Sequence, residues 1–200
     1  MRFLLFALGT IALSTAAFAD DVFQVHYAAD LNIGDSFVDI TNTGATTDIG
    51  TGSSTNLCAN LYTFDPAEEM ISCCACLVTP NGLQSLSVLK SLISNPLTPA
   101  IPTAVVIKII ASVGVPCNAN LANQEPGHGL LAWGTTLHQN TSTATPSYSV
   151  TETPFSQATL SGPEARHLAS TCGFIQADGS GFGICKGCAA GGLGSTSSNQ

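Results

Sequence analysis

The sequence predicts a mainly β protein, an immunoglobulin-like or pilin-like β-sandwich with one or two short helices and several disulfides. Seven or eight short segments have the alternating or β-branched pattern of strands, and turn-forming residues separate them at short intervals. Eight cysteines supply thiols for cross-links. The sequence has no evident internal repeat, which disfavours solenoids and propellers.

The first residues have the three parts of a secretory signal peptide. Arg2 supplies a positive charge, residues 3–12 are apolar but too short to span a bilayer, and Ala-Phe-Ala at 17–19 matches the cleavage pattern. We therefore expect a signal peptide at 1–19. The protein should be secreted or held at the cell surface, with the periplasm as an alternative location.

The rest of the chain suits one β-rich domain at 20–190, followed by a flexible C-terminal tail at 191–200. Without the signal peptide it keeps 5 − 1 = 4 basic residues against 13 acidic ones, a formal net charge of 4 − 13 = −9. This charge disfavours nucleic acid as a partner. The best candidate for a membrane span, 101–115, is too short and carries Lys108, so no span is expected after signal cleavage.

The strand patterns run through the whole domain. Predicted strands span residues 22–27, 36–41, 57–64, 72–79, 103–113, 130–137 and 148–153. Polar residues predict exposed loops at 43–56 and 138–147, and Pro-Asn-Gly at 80–82 predicts a tight hairpin turn. Residues 83–93 fit either a helix or a strand, and we favour a strand at 83–88.

Two segments have helix-start signals. Asp65 can cap a helix with Pro66 at its first position and Glu68 in a capping box, so a turn or two of helix is expected there. Ser161 begins a second capping box, and the apolar face behind it predicts a helix that Gly173 could end.

The eight cysteines are all candidates for disulfides, the default in an oxidising compartment. They are Cys58, Cys73, Cys74, Cys76, Cys117, Cys172, Cys185 and Cys188. On a strand, Cys74 and Cys76 share one face and Cys73 points to the other, so their bridges should go to different neighbours. The pairing as a whole cannot be deduced from the sequence.

The Cys-Lys-Gly-Cys run at 185–188 has three interpretations. A bridge between its two cysteines is favoured, and it would close a very small loop that adds little stability. A thioredoxin-like redox pair would need a helix behind the first cysteine, and the sequence predicts none there. A four-thiolate metal site with residues 73–76 is the third interpretation, although those cysteines lack the spacing of a zinc knuckle.

The sequence contains no recognised catalytic pattern. The histidines, which lack ligand spacing, are His26, His128, His138 and His167. His128 lies between two glycines in a predicted exposed loop, and Glu68 and Glu69 would point in different directions on a helix. We therefore predict no catalytic residue, no bound metal and no cofactor.

Two strings of the sequence resemble a family of secreted, Cys-rich bacterial proteins. Residues 63–83 read TFDPAEEMISCCACLVTPNGL, and residues 181–188 read GFGICKGC. The resemblance implies export and a high content of Cys and Thr. It implies no activity, cofactor or catalytic residue.

Together these features predict a non-enzymatic secreted or cell-surface protein with a structural or adhesive role, such as a matrix or filament component. Its partners would be other proteins or further copies of itself. The alternative is an exported metal-binding or thiol-redox protein that uses the cysteines at 73–76 and 185–188.

Overall fold

The computed structural model describes residues 22–48, 50–120, 124–140, 142, 145 and 147–188. The predicted signal peptide at 1–19 and the predicted tail at 191–200 lie outside the described residues. The strands are β1 (Phe23–Ala28), β2 (Ser36–Asn42), β3 (Leu57–Phe64), β4 (Met70–Val78), β5 (Leu83–Ser87), β6 (Val105–Val113), β7 (Leu130–Asn140), β8 (Ser147–Pro154) and β9 (Ser156–Gln157), and the helix is α1 (Gly162–Ala177). None of the helices in the described ranges has the length and apolar character needed to cross a membrane.

Two antiparallel sheets form a sandwich, as the sequence predicts. Sheet A has the strand order β4-β3-β6-β1-β9, and sheet B has the order β5-β2-β7-β8. Val38 and Ile40 of sheet B join Leu61 and Ile107 of sheet A in one buried apolar cluster. This cluster is the core between the sheets.

The burial of each strand follows from what covers its two faces. Every second residue of β2 is buried and the residues between them are half-buried, as expected for a strand with one core face. β3 and β4 are buried on both faces because α1 covers the outer face of sheet A. Leu168 and Ile175 of α1 pack there with Tyr62 and Cys73.

Helix α1 begins as the sequence predicts but ends later. Ser161 is the N-cap, and its Oγ accepts a hydrogen bond from Glu164 N at 3.2 Å. The helix continues through Gly173 to Ala177, so the expected end is wrong. Burial of Cys172 and Ile175 stabilises the last turns and outweighs the weak helix preference of glycine.

Residues 65–68 form a turn, and the helix expected there is wrong. Asp65 Oδ1 accepts hydrogen bonds from Ala67 N at 2.9 Å and Glu69 N at 3.0 Å. Glu68 has a φ of 65°, outside the helical region. The aspartate therefore closes the loop between β3 and β4 instead of capping a helix.

The turn at 80–82 is present, with Gly82 N donating to Thr79 O at 2.7 Å, but the predicted hairpin is wrong. β4 lies in sheet A and β5 in sheet B, so this turn carries the chain between sheets. The strand favoured at 83–88 is confirmed as β5, and a π-helical turn at Val88–Leu92 follows it. β7 extends to Asn140, so part of the expected loop at 138–147 is strand.

Candidate functional site

All eight cysteines are paired, and each bridge joins distant parts of the chain. The pairs are Cys58–Cys117, Cys73–Cys172, Cys74–Cys185 and Cys76–Cys188, with sequence separations of 59, 99, 111 and 112 residues. The expected alternation is confirmed. Cys73 bonds to α1 on the outer face of sheet A, whereas Cys74 and Cys76 belong to the core between the sheets.

The bridge favoured between Cys185 and Cys188 is wrong, because both residues bond to β4 instead. Gly187 has a φ of 90°, a left-handed conformation that turns the chain between the two cysteines. A Cβ atom at this glycine would also lie 2.9 Å from Ser91 Oγ. The turn therefore brings both cysteines to the same strand.

Two adjacent disulfides form a buried sulfur cluster. The Sγ atoms of Cys74, Cys76 and Cys188 all lie within 4.8 Å of one another, and Cys185 is bonded to Cys74. All four residues are 0–1% exposed and belong to the apolar core between the sheets. We call these four residues the four-sulfur cluster.

The outer edge of β4 is covered by backbone from two other parts of the chain. Cys73 N donates to Gly183 O at 2.8 Å, and Cys185 N donates to Cys73 O at 3.3 Å. Leu97 N donates to Ile71 O at 2.9 Å. This edge of sheet A is therefore closed by hydrogen bonds within the molecule.

The outer edge of β8 has a different environment. β7 pairs with one side of β8, and no strand of the described residues pairs with the other side. Seven of its eight residues are exposed, including Tyr148 at 58% and Val150 at 62%. Glu152 is the one charged residue of this strand. β8 thus offers a long, nearly uncharged edge to another extended chain.

A partly buried histidine lies where the chain passes from sheet B to sheet A. Phe155 N donates to Ala132 O at 2.9 Å, and the Phe155 ring stacks on His26 with ring centroids 4.7 Å apart. His26 Nε2 is buried and has no hydrogen-bond partner among the described residues. Burial lowers the pKa of His26, because an imidazolium ion would lose hydration there.

The other histidines lie on separate elements. The backbone of His128 exchanges hydrogen bonds with the Thr46 hydroxyl in a loop contact. His138 Nε2 on β7 lies 4.0 Å from Asp30 Oδ2, and His167 is exposed on α1. The structure therefore does not gather the four histidines into one site.

Sequence reasoning missed a cleft of about 310 Å³ between α1 and the β3–β4 turn, which Glu68 and His167 both line. The lysine that lines this cleft, Lys108, already forms an ion pair and a ring contact within the protein. Lys108 Nζ lies 2.5 Å from Glu164 Oε1 and 4.8 Å from the centroid of the Phe64 ring. These groups come from three elements, so only the docking of α1 on sheet A could reveal the cleft.

A smaller cleft of about 190 Å³ has a polar base. Asn60 is 2% exposed, and its Nδ2 donates to Ile110 O at 3.0 Å and to Ser112 Oγ at 2.9 Å. Tyr62 OH donates to Ala119 O at 2.7 Å, and burial raises the pKa of this phenol. The phenol therefore stays a hydrogen-bond donor at all ordinary pH values.

The chain matches no protein-family model, no curated protein and no solved structure. Its class is therefore defined by its own features, a disulfide-linked β-sandwich with one helix packed on the outer face of sheet A. The resemblance to secreted, Cys-rich bacterial proteins stays a prediction from the sequence.

Proposed function

We propose that this chain is a non-enzymatic secreted or cell-surface protein that associates by strand pairing, in the first place with a second copy of itself. The observation that carries the proposal is the outer edge of β8, where seven of eight residues are exposed. Extended chains bind such edges through backbone hydrogen bonds. Four disulfides stabilise the domain that carries this edge, although none of them joins a strand of sheet B.

The composition of β8 supports pairing. Many proteins protect their edge strands with lysine, inward-pointing charges, mid-strand proline or very short length. β8 has no lysine, and its proline, Pro154, is the last residue of the strand. Val150, Thr151 and Thr153 are β-branched and favour the extended conformation.

A second copy fits this edge in a two-fold, antiparallel arrangement centred on Val150. Tyr148 then lies opposite Glu152 of the second copy, and Ser149 lies opposite Thr151. The two glutamates are kept apart, which matters because the chain is strongly acidic and facing like charges are unfavourable. Such a symmetric contact closes on itself and gives a dimer.

The expected contact is small compared with permanent interfaces, because only one strand of each copy takes part. We therefore expect reversible association that depends on concentration. Copies held close together on a surface or in a matrix would associate much more strongly through the high effective concentration. This behaviour suits a structural or adhesive protein.

Export is part of the proposal. Four disulfides suit an oxidising compartment, and the sequence has a signal-peptide pattern. We expect protein from the medium or the cell surface to begin at Asp20. Intact protein that begins at Met1 in the cytoplasm would contradict this part of the proposal.

Sedimentation velocity over a range of concentrations tests self-association. The unaltered protein should form dimers, and Val150→Lys should keep it monomeric because charge at the centre of the edge opposes pairing. Leu83→Lys is the matched control, since it places the same charge at a 67% exposed position of β5. A protein that stays monomeric at every concentration would overturn the proposal.

Cross-linking tests the register. Val150→Cys should form a disulfide between two copies under mild oxidation, because the two cysteines face each other. Ser149→Cys should not, because it faces Thr151 of the second copy. If Leu83→Lys also abolishes assembly, β8 pairs with β5 of the next copy, and the two-fold arrangement is wrong.

A further inference from the structure

We propose that the four-sulfur cluster is also a latent metal site. When a thiol reductant opens its two disulfides, Cys74, Cys76, Cys185 and Cys188 bind one Zn²⁺ ion as four thiolates. This inference does not depend on pairing through β8. Four cysteine thiolates in a tetrahedral arrangement are a common ligand set for structural zinc.

The sulfur atoms are already close to the required positions. The Sγ atoms of Cys74, Cys76 and Cys188 lie within 4.8 Å of one another. Zn–S bonds of about 2.3 Å place the sulfurs of a tetrahedral site roughly 3.8 Å apart. The fourth sulfur, of Cys185, is bonded to that of Cys74 but lies outside this close group of three. Once the Cys74–Cys185 bond is open, rotation of the Cys185 side chain toward the other three sulfurs would complete the site.

The backbone presents the ligands as two facing pairs. Cys74 and Cys76 share one face of β4, because alternate residues of a strand point the same way. Cys185 and Cys188 flank the turn at Gly187 and have the two-residue spacing of many zinc sites. The missing zinc-knuckle spacing in β4 is thus no obstacle, since strand geometry brings its two sulfurs together.

The other four cysteines have no such arrangement. The bridges Cys58–Cys117 and Cys73–Cys172 belong to the separate cluster beneath α1. Within the described ranges, the four-sulfur cluster contains the only group of three or more possible ligands with atoms this close. Exposed Lys186 lies in the turn between two of the ligands, where its positive charge would offset part of the negative charge of a zinc–thiolate site.

The chemistry balances with a dithiol as reductant. Each disulfide accepts two electrons and two protons and becomes two thiols, while the dithiol is oxidised to its own disulfide. Binding of Zn²⁺ then releases up to four protons from the four thiols. An oxidant of the disulfide class would re-form both bridges and release the metal.

Metal can reach the buried site if the C-terminal segment opens. Besides the disulfides, four backbone hydrogen bonds hold residues 183–186 beside the cluster. Gly183 O and Cys185 N bond to the backbone of Cys73 on β4, Gly183 N donates to Asn95 O at 2.8 Å, and Lys186 N donates to Ser91 O at 2.9 Å. Once both disulfides are reduced, these hydrogen bonds and the burial of Cys185 and Cys188 still restrain the segment, so local opening must break them before metal enters. Zinc would then restore the link between this segment and β4.

Two variants with four cysteines each test the site under a phosphine reductant. The first keeps the cluster and carries Cys58→Ser, Cys73→Ser, Cys117→Ser and Cys172→Ser. The second keeps the other four cysteines and carries Cys74→Ser, Cys76→Ser, Cys185→Ser and Cys188→Ser. With Co²⁺ as a probe, the first should bind one ion with the absorption bands of tetrahedral thiolate coordination, and Zn²⁺ should displace it.

The second variant should show no such spectrum. Adding Cys188→Ser to the first variant should weaken Co²⁺ binding by more than about tenfold, because even loss of an outer partner of a ligand costs 10–100-fold. Equal binding by both four-cysteine variants would mean that thiols in an unfolded chain bind the metal, and it would overturn the proposal. Absence of binding by the first variant would overturn it too.

Alkylation of the unaltered protein gives a measurement that avoids folding defects of the variants. After reduction, adding Zn²⁺ should slow the reaction of Cys74, Cys76, Cys185 and Cys188 with iodoacetamide, whereas the reaction rates of the other four cysteines should not change. Peptide mass spectrometry identifies the protected residues. Uniform protection, or none, would contradict a site at the four-sulfur cluster.

Discussion

The two sheets end in contrasting edges. β4, at one edge of sheet A, is linked by three disulfides to α1 and to the C-terminal segment, and neighbouring backbone covers its outer side. β8, at one edge of sheet B, has seven exposed residues and no cysteine. The chain therefore closes the β4 edge of sheet A with disulfides and backbone hydrogen bonds, and it leaves the β8 edge of sheet B without a neighbouring strand among the described residues.

This difference is consistent with the proposal that a stable domain associates through one edge strand. An uncovered edge strand risks uncontrolled aggregation, and its own contacts add little to stability. Long-range bridges elsewhere can supply the stability that such an edge lacks. The bridges therefore explain why an exposed β8 is compatible with a well-defined fold.

The largest effect is expected from removing the four-sulfur cluster. Cys74, Cys76, Cys185 and Cys188 changed together to alanine should lower the melting temperature by about 10–20 °C, since one loop of about 100 residues contributes roughly 4.7 kcal/mol. Thr151→Ala on β8 should change the free energy of unfolding by less than about 0.5 kcal/mol. Circular-dichroism melts compare them, and equal melting temperatures would remove the contrast between the edges.

This prediction reverses what the sequence suggests for the Cys185–Cys188 pair. A bridge within the Cys-Lys-Gly-Cys run would close a small loop, and its loss would cost little. The two bridges to β4 instead span 111 and 112 residues. The sequence could not reveal this because the pairing depends on where the C-terminal segment meets sheet A.

A smaller effect is expected at the start of α1, the helix bonded to β4. Ser161→Ala removes the cap on Glu164 N and should cost about 1 kcal/mol of unfolding free energy. Ser170→Ala, at an exposed position inside the same helix, is the control and should change it by less than about 0.5 kcal/mol. Urea unfolding measures both, and equal costs would show that the cap is not important.

The stability of the fold should depend on pH through His26 of β1, whose ring stacks on Phe155 just after β8. Its pKa in the folded state is lowered from 6.5, so the unfolded chain binds a proton more readily than the folded one. The contribution of neutral His26 is complete above pH 6.5 and is lost progressively as the pH falls from 6.5 toward the folded-state pKa. Urea unfolding at several pH values should show this loss, and His26→Phe should reduce it. An unchanged pH dependence would contradict this role.

The smallest effect is expected from the ion pair between α1 and sheet A. Lys108 and Glu164 are each partly exposed, at 26% and 33%, so Glu164→Gln should cost about 0.2–1 kcal/mol. High salt should reduce the difference from the unaltered protein. A loss that salt does not change would show that packing, and not charge, is responsible.

Local patterns predicted the strands well, because alternation decides which face of a strand is buried. The same logic placed Cys73 and Cys74 on opposite faces, and the structure confirms it. Predictions were wrong where the same residues are compatible with two different structures. Asp65 has the chemistry of a helix cap but closes a turn between strands, and Asn81-Gly82 makes a turn whose flanking strands lie in different sheets.

The candidate sites were harder to predict because both depend on sheet order. Nothing in the residues of β8 shows that it lies at the edge of sheet B, since a central strand could have the same polar alternation. The four-sulfur cluster likewise requires β4 to meet residues more than 100 positions away. Pairing at such distances is a property of the whole fold.

Hydrogen exchange measured at low and high protein concentration tests the contrast between the edges most directly. The amides of β4 should be strongly protected at both concentrations, because neighbouring backbone covers that edge. The outward amides of β8 should exchange quickly in dilute protein and become protected as copies pair. Exchange of β8 that is fast at every concentration, or already slow in dilute protein, would contradict the account.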